Sequence, residues 1–254
     1  MRVLVTNDDG VEAPGILALA TALHGAGHDV LVVAPASDLS GAGASIGPLH
    51  RSEPIPVAER RWAELPGVPV LALERPPATA VYLACLGAFG DRPDAVASGI
   101  NPGANTGHLV LHSGTVGAAL TAAGLGVPAL AVSMQWSDEG YHWETAARLA
   151  VPALEWAVAP GTGPRVLNLN VPNRPLAEVL GVREATLAPY GEFWVASADV
   201  RDGDVRIEFR GPDTEPDPGT DAALVAAGYA TVTPLLGIVA STLKGAAEMV
   251  DKAL

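Results

Sequence analysis

Residues 2–34 read RVLVTNDDGVEAPGILALATALHGAGHDVLVVA. Arg2–Thr6 is a short apolar run that stops at an Asn-Asp-Asp-Gly turn, the pattern of a buried strand with a sharp end. Pro14 suits the first turn of a helix, where its fixed φ is already helical and its missing N–H has no intrahelical partner. Ile16, Leu17, Leu19, Ala20 and Leu23 recur at helical spacing, and Gly25 and Gly27 end the run. Asp29–Ala34 is then a continuous apolar strand, as expected where both faces of a sheet are covered. A strand, a helix and a strand in this order force a parallel pair joined by a right-handed crossover.

The same alternation continues outward. Val68–Leu73, Ala95–Ser98, Ala129–Ser133 and Val166–Val171 are strand-like, whereas Pro77–Leu86, Thr115–Leu125 and Glu144–Val158 are helical. The expected fold is therefore α/β, a Rossmann-like, doubly wound and mostly parallel sheet. After Pro172 the character changes: Val182–Phe209 reads as hairpin strands, Thr220–Gly228 as a short helix, Tyr229–Thr233 as a strand, and a last helix runs from Ser241. Without a linker, the expectation is one domain over residues 1–254, with a core over 1–172 that carries the site and an arm region over 173–254.

Composition bounds the function. The chain has 254 residues, 49% hydrophobic and 17% charged, with a mean hydropathy of +0.28, so it can bury a large core and is not a disordered chain. The formal net charge is −13 and the pI about 4.7, which disfavours nucleic-acid polymers as partners. Cys85 is the single cysteine, so neither an intrachain disulfide nor a cysteine metal site can form, and a reducing cytoplasm fits. MRVLVTNDDG lacks the apolar run of a secretory signal, so no leader is expected. Ser113–Ser137 carries no charge, yet Gly114, Gly117, Gly124, Gly126 and Pro128 interrupt it, so a buried helix and strand are expected in place of a membrane span.

Two stretches break the helix-strand rhythm: Pro35–Pro56 and Asn101–Ser113. Both follow a strand and so emerge at the carboxyl edge of the sheet, where open α/β folds bind ligands. Asp8 and Asp9 stand at the end of the first strand. Adjacent carboxylates repel unless a cation neutralises them, and a hard divalent ion does so through oxygen ligands. An Asx-turn capping the next helix explains the same residues. Ser40-Gly41 lies in the first long loop, and Asn101 ends Ser98-Gly-Ile-Asn and opens Asn101-Pro-Gly-Ala-Asn105-Thr-Gly107. Ser113-Gly114-Thr115 precedes an apolar helix, where free N–H groups and hydroxyls can hold an anion or Ser113 can simply cap the helix. Val116 stands where a Walker lysine would, so this is no P-loop. Together these residues converge on one crevice, and oxygen ligands beside an anion cradle describe a phosphate-ester site.

At this point VLVTNDDGVEAPGI, VVAPASDLSGAGAS, SGINPGANTGHLVLHSGTVGAA, LNLNVP and GTDAALVAAGYATVTPL, in that order from Arg2 to about Leu235, resemble the survival protein SurE family. The resemblance implies a metal-dependent phosphomonoesterase that cleaves nucleoside 5′-monophosphates, and the sequence leaves open whether 3′-monophosphates are cleaved as well. It implies one divalent ion per subunit, Mg²⁺ or Mn²⁺, held by Asp8, Asp9, Ser40 and Asn101. It also implies a phosphate held by Asn101, Asn105, Ser113, Gly114 and Thr115, with Asp8, Asp9, Asn101, Ser113 and Thr115 as the catalytic set. A homodimer or homotetramer is expected, because Phe193, Trp194, Ile207 and Phe209 would give the arm an uncovered apolar face.

The chain departs from the family pattern at Glu12 (usually His), Ala44 (His), Thr79 (Asp), His108 (an acid) and His112 (Tyr). His108 and His112 lie in a loop, so their spacing has no helical meaning as a metal pair. Either is a candidate proton donor to the leaving oxygen, against the plainer reading of a polar rim. Two rivals remain: the opening residues also resemble the first domain of two-domain nucleotide-sugar glycosyltransferases, and the departures would suit a non-catalytic sensor of metal and nucleotide.

Overall fold

Strand β1 (Arg2–Thr6) divides its apolar side chains between two cores. Val3 and Val5 join one and Leu4 the other, all fully buried. The strand therefore lies between two helical layers, and an unbroken apolar run is what such a position demands. The computed structural model describes residues 1–49, 53–161, 166–189, 194–201, 203–210, 217–238 and 251. The first core is closed by α1 (Pro14–Gly25) through Ile16, Leu19 and Leu23, and by α4 (Trp143–Val158) through Ala146, Ala150 and Leu154. The second is closed by α2 (Pro77–Cys85) and α3 (Gly114–Gly124), through Val81, Ala84, Val116, Ala119 and Ala122.

The remaining strands are β2 (Asp29–Pro35), β3 (Val57–Arg60), β4 (Val70–Leu73), β5 (Ala95–Pro102), β6 (Ala129–Met134), β7 (Val166–Val171), β8 (Val182–Glu184), β9 (Trp194–Arg201), β10 (Asp204–Arg210) and β11 (Ala230–Leu235). The main sheet runs β3-β4-β2-β1-β5-β6-β7-β11-β8. From β4 to β7 all neighbours are parallel. The doubly wound, mostly parallel sheet is thus present. From β1 the chain winds outward through β2 to β4, then returns to place β5 on the other side of β1. This reversal opens a crevice at the carboxyl ends of β1 and β5. Glycine keeps the next layer close to it: a Cβ on Gly117 of α3 would stand 2.4 Å from the Gly43 carbonyl carbon, so the loop over residues 36–49 packs directly on the helix.

Several details differ from the sequence expectations. β3 pairs antiparallel with β4 at the sheet edge, and its mostly exposed Val-Ala-Glu-Arg run gave no apolar signal. Gly107–Leu111 forms a 3-10 turn within the second irregular stretch. β11 pairs antiparallel with β7, and β8 parallel with β11, so part of the segment beyond Pro172 belongs to the central sheet. β9 and β10 form a separate antiparallel hairpin with Val200, Val205 and Ile207 exposed. Phe193 and nearly all of the expected last helix fall outside the described residues. Among the described residues no helix is long and apolar enough to cross a membrane.

Candidate active site

Every element that positions the site ends at the same edge. Asp8 and Asp9 follow β1 after one residue, Asn7, which is fully buried and donates from Nδ2 to the Gly10 carbonyl at 3.0 Å to close the turn. Asn101 lies within the end of β5, after a register irregularity between Ser98 and Asn101, and pairs with Ser133 of β6. An irregularity of this kind changes where a strand aims its side chains. The first long loop is drawn in by the Leu39 N–H, which donates to the Asp8 carbonyl at 2.8 Å, and by the Gly43 N–H, which donates to the His112 carbonyl at 3.1 Å.

Asp8 is 3% exposed, and the start of α3 holds its carboxylate. The Thr115 hydroxyl donates to Oδ1 at 2.6 Å and the Gly114 N–H to Oδ2 at 3.1 Å. Only glycine fits at 114, since a Cβ there would lie 2.6 Å from Asp8 Oδ2. Two groups read from sequence as a phosphate cradle are therefore already engaged with Asp8. Ser113 caps α3, its Oγ accepting from the Val116 N–H at 3.1 Å, which leaves its own proton free to donate elsewhere. The Asn101 Oδ1 lies 3.4 Å from the Thr115 hydroxyl, and its Nδ2 donates to the Gly103 carbonyl at 2.7 Å. Asn105 is turned inward: its Nδ2 donates to Ser133 Oγ at 2.8 Å, and its carbonyl accepts from Nδ2 of Asn168 and Asn170 at 2.9 and 3.2 Å. The exposed Ser40 donates its hydroxyl to Asp38 Oδ1 at 2.6 Å.

The electrostatics set Asp9 apart. Burial first, then the neighbouring charges of Asp8 and Asp38, push its carboxyl up to about 7. Its Oδ2 is buried without a hydrogen-bond partner among the described residues. Burial also raises Asp8, but the Thr115 hydroxyl and the Gly114 N–H work in the opposite direction. Two adjacent carboxylates, one with an orphaned oxygen, fit a divalent cation, which would relieve the repulsion and the missing bond together. The described residues contain no group of three or more His, Cys, Asp or Glu side chains able to hold a metal. A cation here would therefore complete its shell with amide, hydroxyl or water oxygens, the chemistry that Asn101 and Ser40 offer.

The departures find local roles. Glu12 pairs with Arg60 of β3 at 3.3 Å, an exposed pair of small energetic weight. Thr79 is fully buried and donates to the Ile46 carbonyl at 3.0 Å, tying α2 to the first loop. Ala44 is exposed on that loop, and His108 and His112 are exposed around the 3-10 turn. Sequence reasoning passed over Asp38, whose Asp-Leu-Ser spacing to Ser40 is an Asx-turn signal, and Asp221, whose position after Thr220 resembles an ordinary acidic first turn.

Comparison with known proteins gives the family and the fold of this chain. The family model described as Survival protein SurE matches residues 3–191. A 5′-nucleotidase SurE of Xanthomonas campestris pv. campestris (strain B100) is 42% identical over 240 residues, covering 92% of this chain and 89% of the relative. Its counterpart in Xanthomonas euvesicatoria pv. vesicatoria (strain 85-10) is 40% identical over the same length. The crystal structure of the SurE protein from Aquifex aeolicus superposes with a TM-score of 0.76 at 29% identity, covering 100% of this chain and 98% of that one.

Proposed function

The chain belongs to the survival protein SurE family, and from that membership we propose how its crevice works as a nucleotidase site. The enzyme hydrolyses nucleoside 5′-monophosphates to nucleoside and phosphate. In our reading Asp8, Asp9, Asn101 and Ser40 hold one divalent cation, Mg²⁺ or Mn²⁺. When bound, such an ion polarises a phosphoryl oxygen and lowers the pKa of a coordinated water. The carrying observation is the Asp8–Asp9 pair at the switch between β1 and β5, the buried Asp8 gripped by the start of α3 and the half-buried Asp9 left with a buried oxygen that has no partner among the described residues.

The chain's own groups do the rest. Thr115 and Gly114 fix Asp8 in one orientation, so the pair is presented without rearrangement. Ser113, whose proton is uncommitted, and the amides of Asn101 and Asn105 supply donors for the phosphoryl oxygens. Each of these two amides has already committed one of its two hydrogens, Asn101 to the Gly103 carbonyl and Asn105 to Ser133, and the second remains to donate. An aspartyl-phosphate route ranks lower, since both carboxylates serve as ligands. The substrate is a nucleoside monophosphate, and 3′-monophosphates form the second class to test. The single large sheet, which leaves no second domain of comparable size among the described residues, and the family membership together replace the glycosyltransferase reading. We also place the enzyme in the cytoplasm as a homodimer or dimer of dimers, with the free-standing β9–β10 hairpin in the contact. A monomer by light scattering at micromolar concentration would remove that part of the reading.

Phosphate release from a panel of 5′- and 3′-nucleoside monophosphates and simple phosphomonoesters, in Mg²⁺, Mn²⁺ and a chelator, tests the proposal. Release confined to the metal-containing reactions is the expected result. Full turnover in chelator would overturn the cation assignment, and no release from any nucleotide would overturn the function.

A further inference from the structure

Beyond the crevice, the described residues hold another buried acid. Asp221, the first residue of α5 (Asp221–Ala226), is 0% exposed and has no ion-pair partner among the described residues. Three backbone N–H groups surround it instead. Its Oδ1 accepts from Ala188 and from Ala222, each at 2.9 Å, and its Oδ2 accepts from Gly107 at 2.9 Å. These donors come from different parts of the chain. Ala222 belongs to α5, and Ala188 precedes the β9–β10 hairpin. Gly107 opens the 3-10 turn that leads through His112 to Ser113 and α3.

The surroundings show what this carboxylate joins. The two roots of the hairpin are already held together: Thr186 bridges Thr220, the Thr186 N–H donates to the Gly219 carbonyl at 3.2 Å, and the Asp221 N–H donates to the Thr186 carbonyl at 2.9 Å. The loop over residues 101–113 is held from β7 at Asn105, through Asn168 and Asn170. Two residues further along, Asp221 supplies the next hold, at Gly107. One side chain thus fastens the loop that carries Asn105 and Ser113 to the base of the arm.

We propose that Asp221 is a positioning residue for catalysis: its carboxylate sets the Gly107 turn, and through it the phosphate donors Asn105 and Ser113, in register with the root of the β9–β10 hairpin. The inference rests on the nucleotidase reading above. A carboxylate is required because both of its oxygens must accept. In Asp221→Asn the amide oxygen can keep Ala188 and Ala222, while the amide nitrogen, a donor, faces the Gly107 N–H. The substitution therefore cuts the hold on the loop and spares the hold on the arm. A shift of about 1 Å in a positioned group can cost about 10²-fold in rate.

The test uses the full chain with Mg²⁺. Wild-type release of phosphate from a nucleoside monophosphate tests the nucleotidase reading by itself, and the ratio of variant to wild type tests Asp221. Asp221→Asn should lower kcat about 10- to 100-fold and weaken inhibition by inorganic phosphate about tenfold or more. The control is Thr220→Ala, which removes the hydroxyl that caps α5 but leaves Gly107 untouched. It should lower Tm while keeping kcat and phosphate inhibition within about twofold. Equal kinetic losses in both variants would make Asp221 a merely structural residue and overturn the proposal, as would unchanged kinetics in Asp221→Asn. Should Asp221→Asn fail to fold, hydrogen exchange on the wild type decides. Inorganic phosphate with Mg²⁺ should slow exchange at the Gly107, Ala188 and Ala222 amides together, and protection of Gly107 alone would overturn the coupling.

Discussion

Among the described residues, buried or half-buried carboxylates occur in two regions, and the chain treats them in opposite ways. Asp221 has three backbone donors and a defined partner for each oxygen. The Asp8–Asp9 pair is incomplete: Asp8 is held from one side by Thr115 and Gly114, whereas Asp9 keeps a buried oxygen with no partner and lies beside two further carboxylates, Asp8 and Asp38. Burial raises the pKa of all three acids. The difference lies in whether the fold supplies compensation. At Asp221 it does, and the residue fastens structure. At Asp9 it does not, and the deficit is what a cation or substrate can fill. An unsatisfied buried group in a native protein asks for such an explanation.

The widest separation between the two regions should come from neutralising Asp9. Asp9→Asn is expected to lower metal-dependent turnover by about 10³-fold or more, since a catalytic metal contributes several kcal/mol at about 1.4 kcal/mol per decade. The same variant should melt at or above the wild-type temperature in chelator, because it removes repulsion. Steady-state kinetics and calorimetry on one preparation check both halves, and an Asp9→Asn variant that melts well below the wild type in chelator would erase the contrast.

Thr115→Ala probes the side of the pair that the fold does support. It removes the hydroxyl that donates to Asp8 at 2.6 Å. A hydrogen bond to a charged group is worth about 1.5–3 kcal/mol, so a rate loss of about 10–10² is expected, together with weaker Mg²⁺ activation. Titrating activity against Mg²⁺ checks it. A full rate with unchanged Mg²⁺ dependence would reduce Thr115 to a residue of the helix start.

The smallest effect is on stability against pH. Asp9 is a carboxylate with a raised folded pKa, so between 3.8 and about 7 the folded chain keeps a proton that the unfolded chain has released. Proton binding to the folded state then favours folding at low pH, and this contribution is lost as pH rises through that window. In chelator, Tm should fall by a few degrees between about pH 5 and 8, and the fall should flatten in Asp9→Asn. A Tm that rises in chelator across the same range would contradict the assignment of an uncompensated acid.

Much of this arrangement was legible in the sequence because it is local. β1, α1 and β2 announce themselves through period and punctuation, and Asp8, Asn101 and Ser113–Thr115 each stand where a strand stops or a helix begins. What was hidden depends on distant partners. Nothing near Ala230–Leu235 says that it will run antiparallel to Val166–Val171. The donors at Gly114 and Thr115 read as a free anion cradle because their acceptor, Asp8, lies more than a hundred residues earlier. Asp221 carried no local mark beyond a capped helix, since its partners are main-chain amides, which every sequence has and no sequence displays.

One feature of α3 bears on how this enzyme could be engineered. Gly117 and Gly124 both look like defects in a helix, where glycine costs up to about 1 kcal/mol relative to alanine, and a design protocol would replace both. Gly124 has nothing within 4 Å and accepts the change freely. At Gly117 the missing methyl is a machining tolerance: the backbone of Gly43 and Ala44 fills the space a side chain would take. An alanine there would strengthen the helix on paper and lift the Ser40 loop off its seat, giving a sturdier scaffold around a misassembled site.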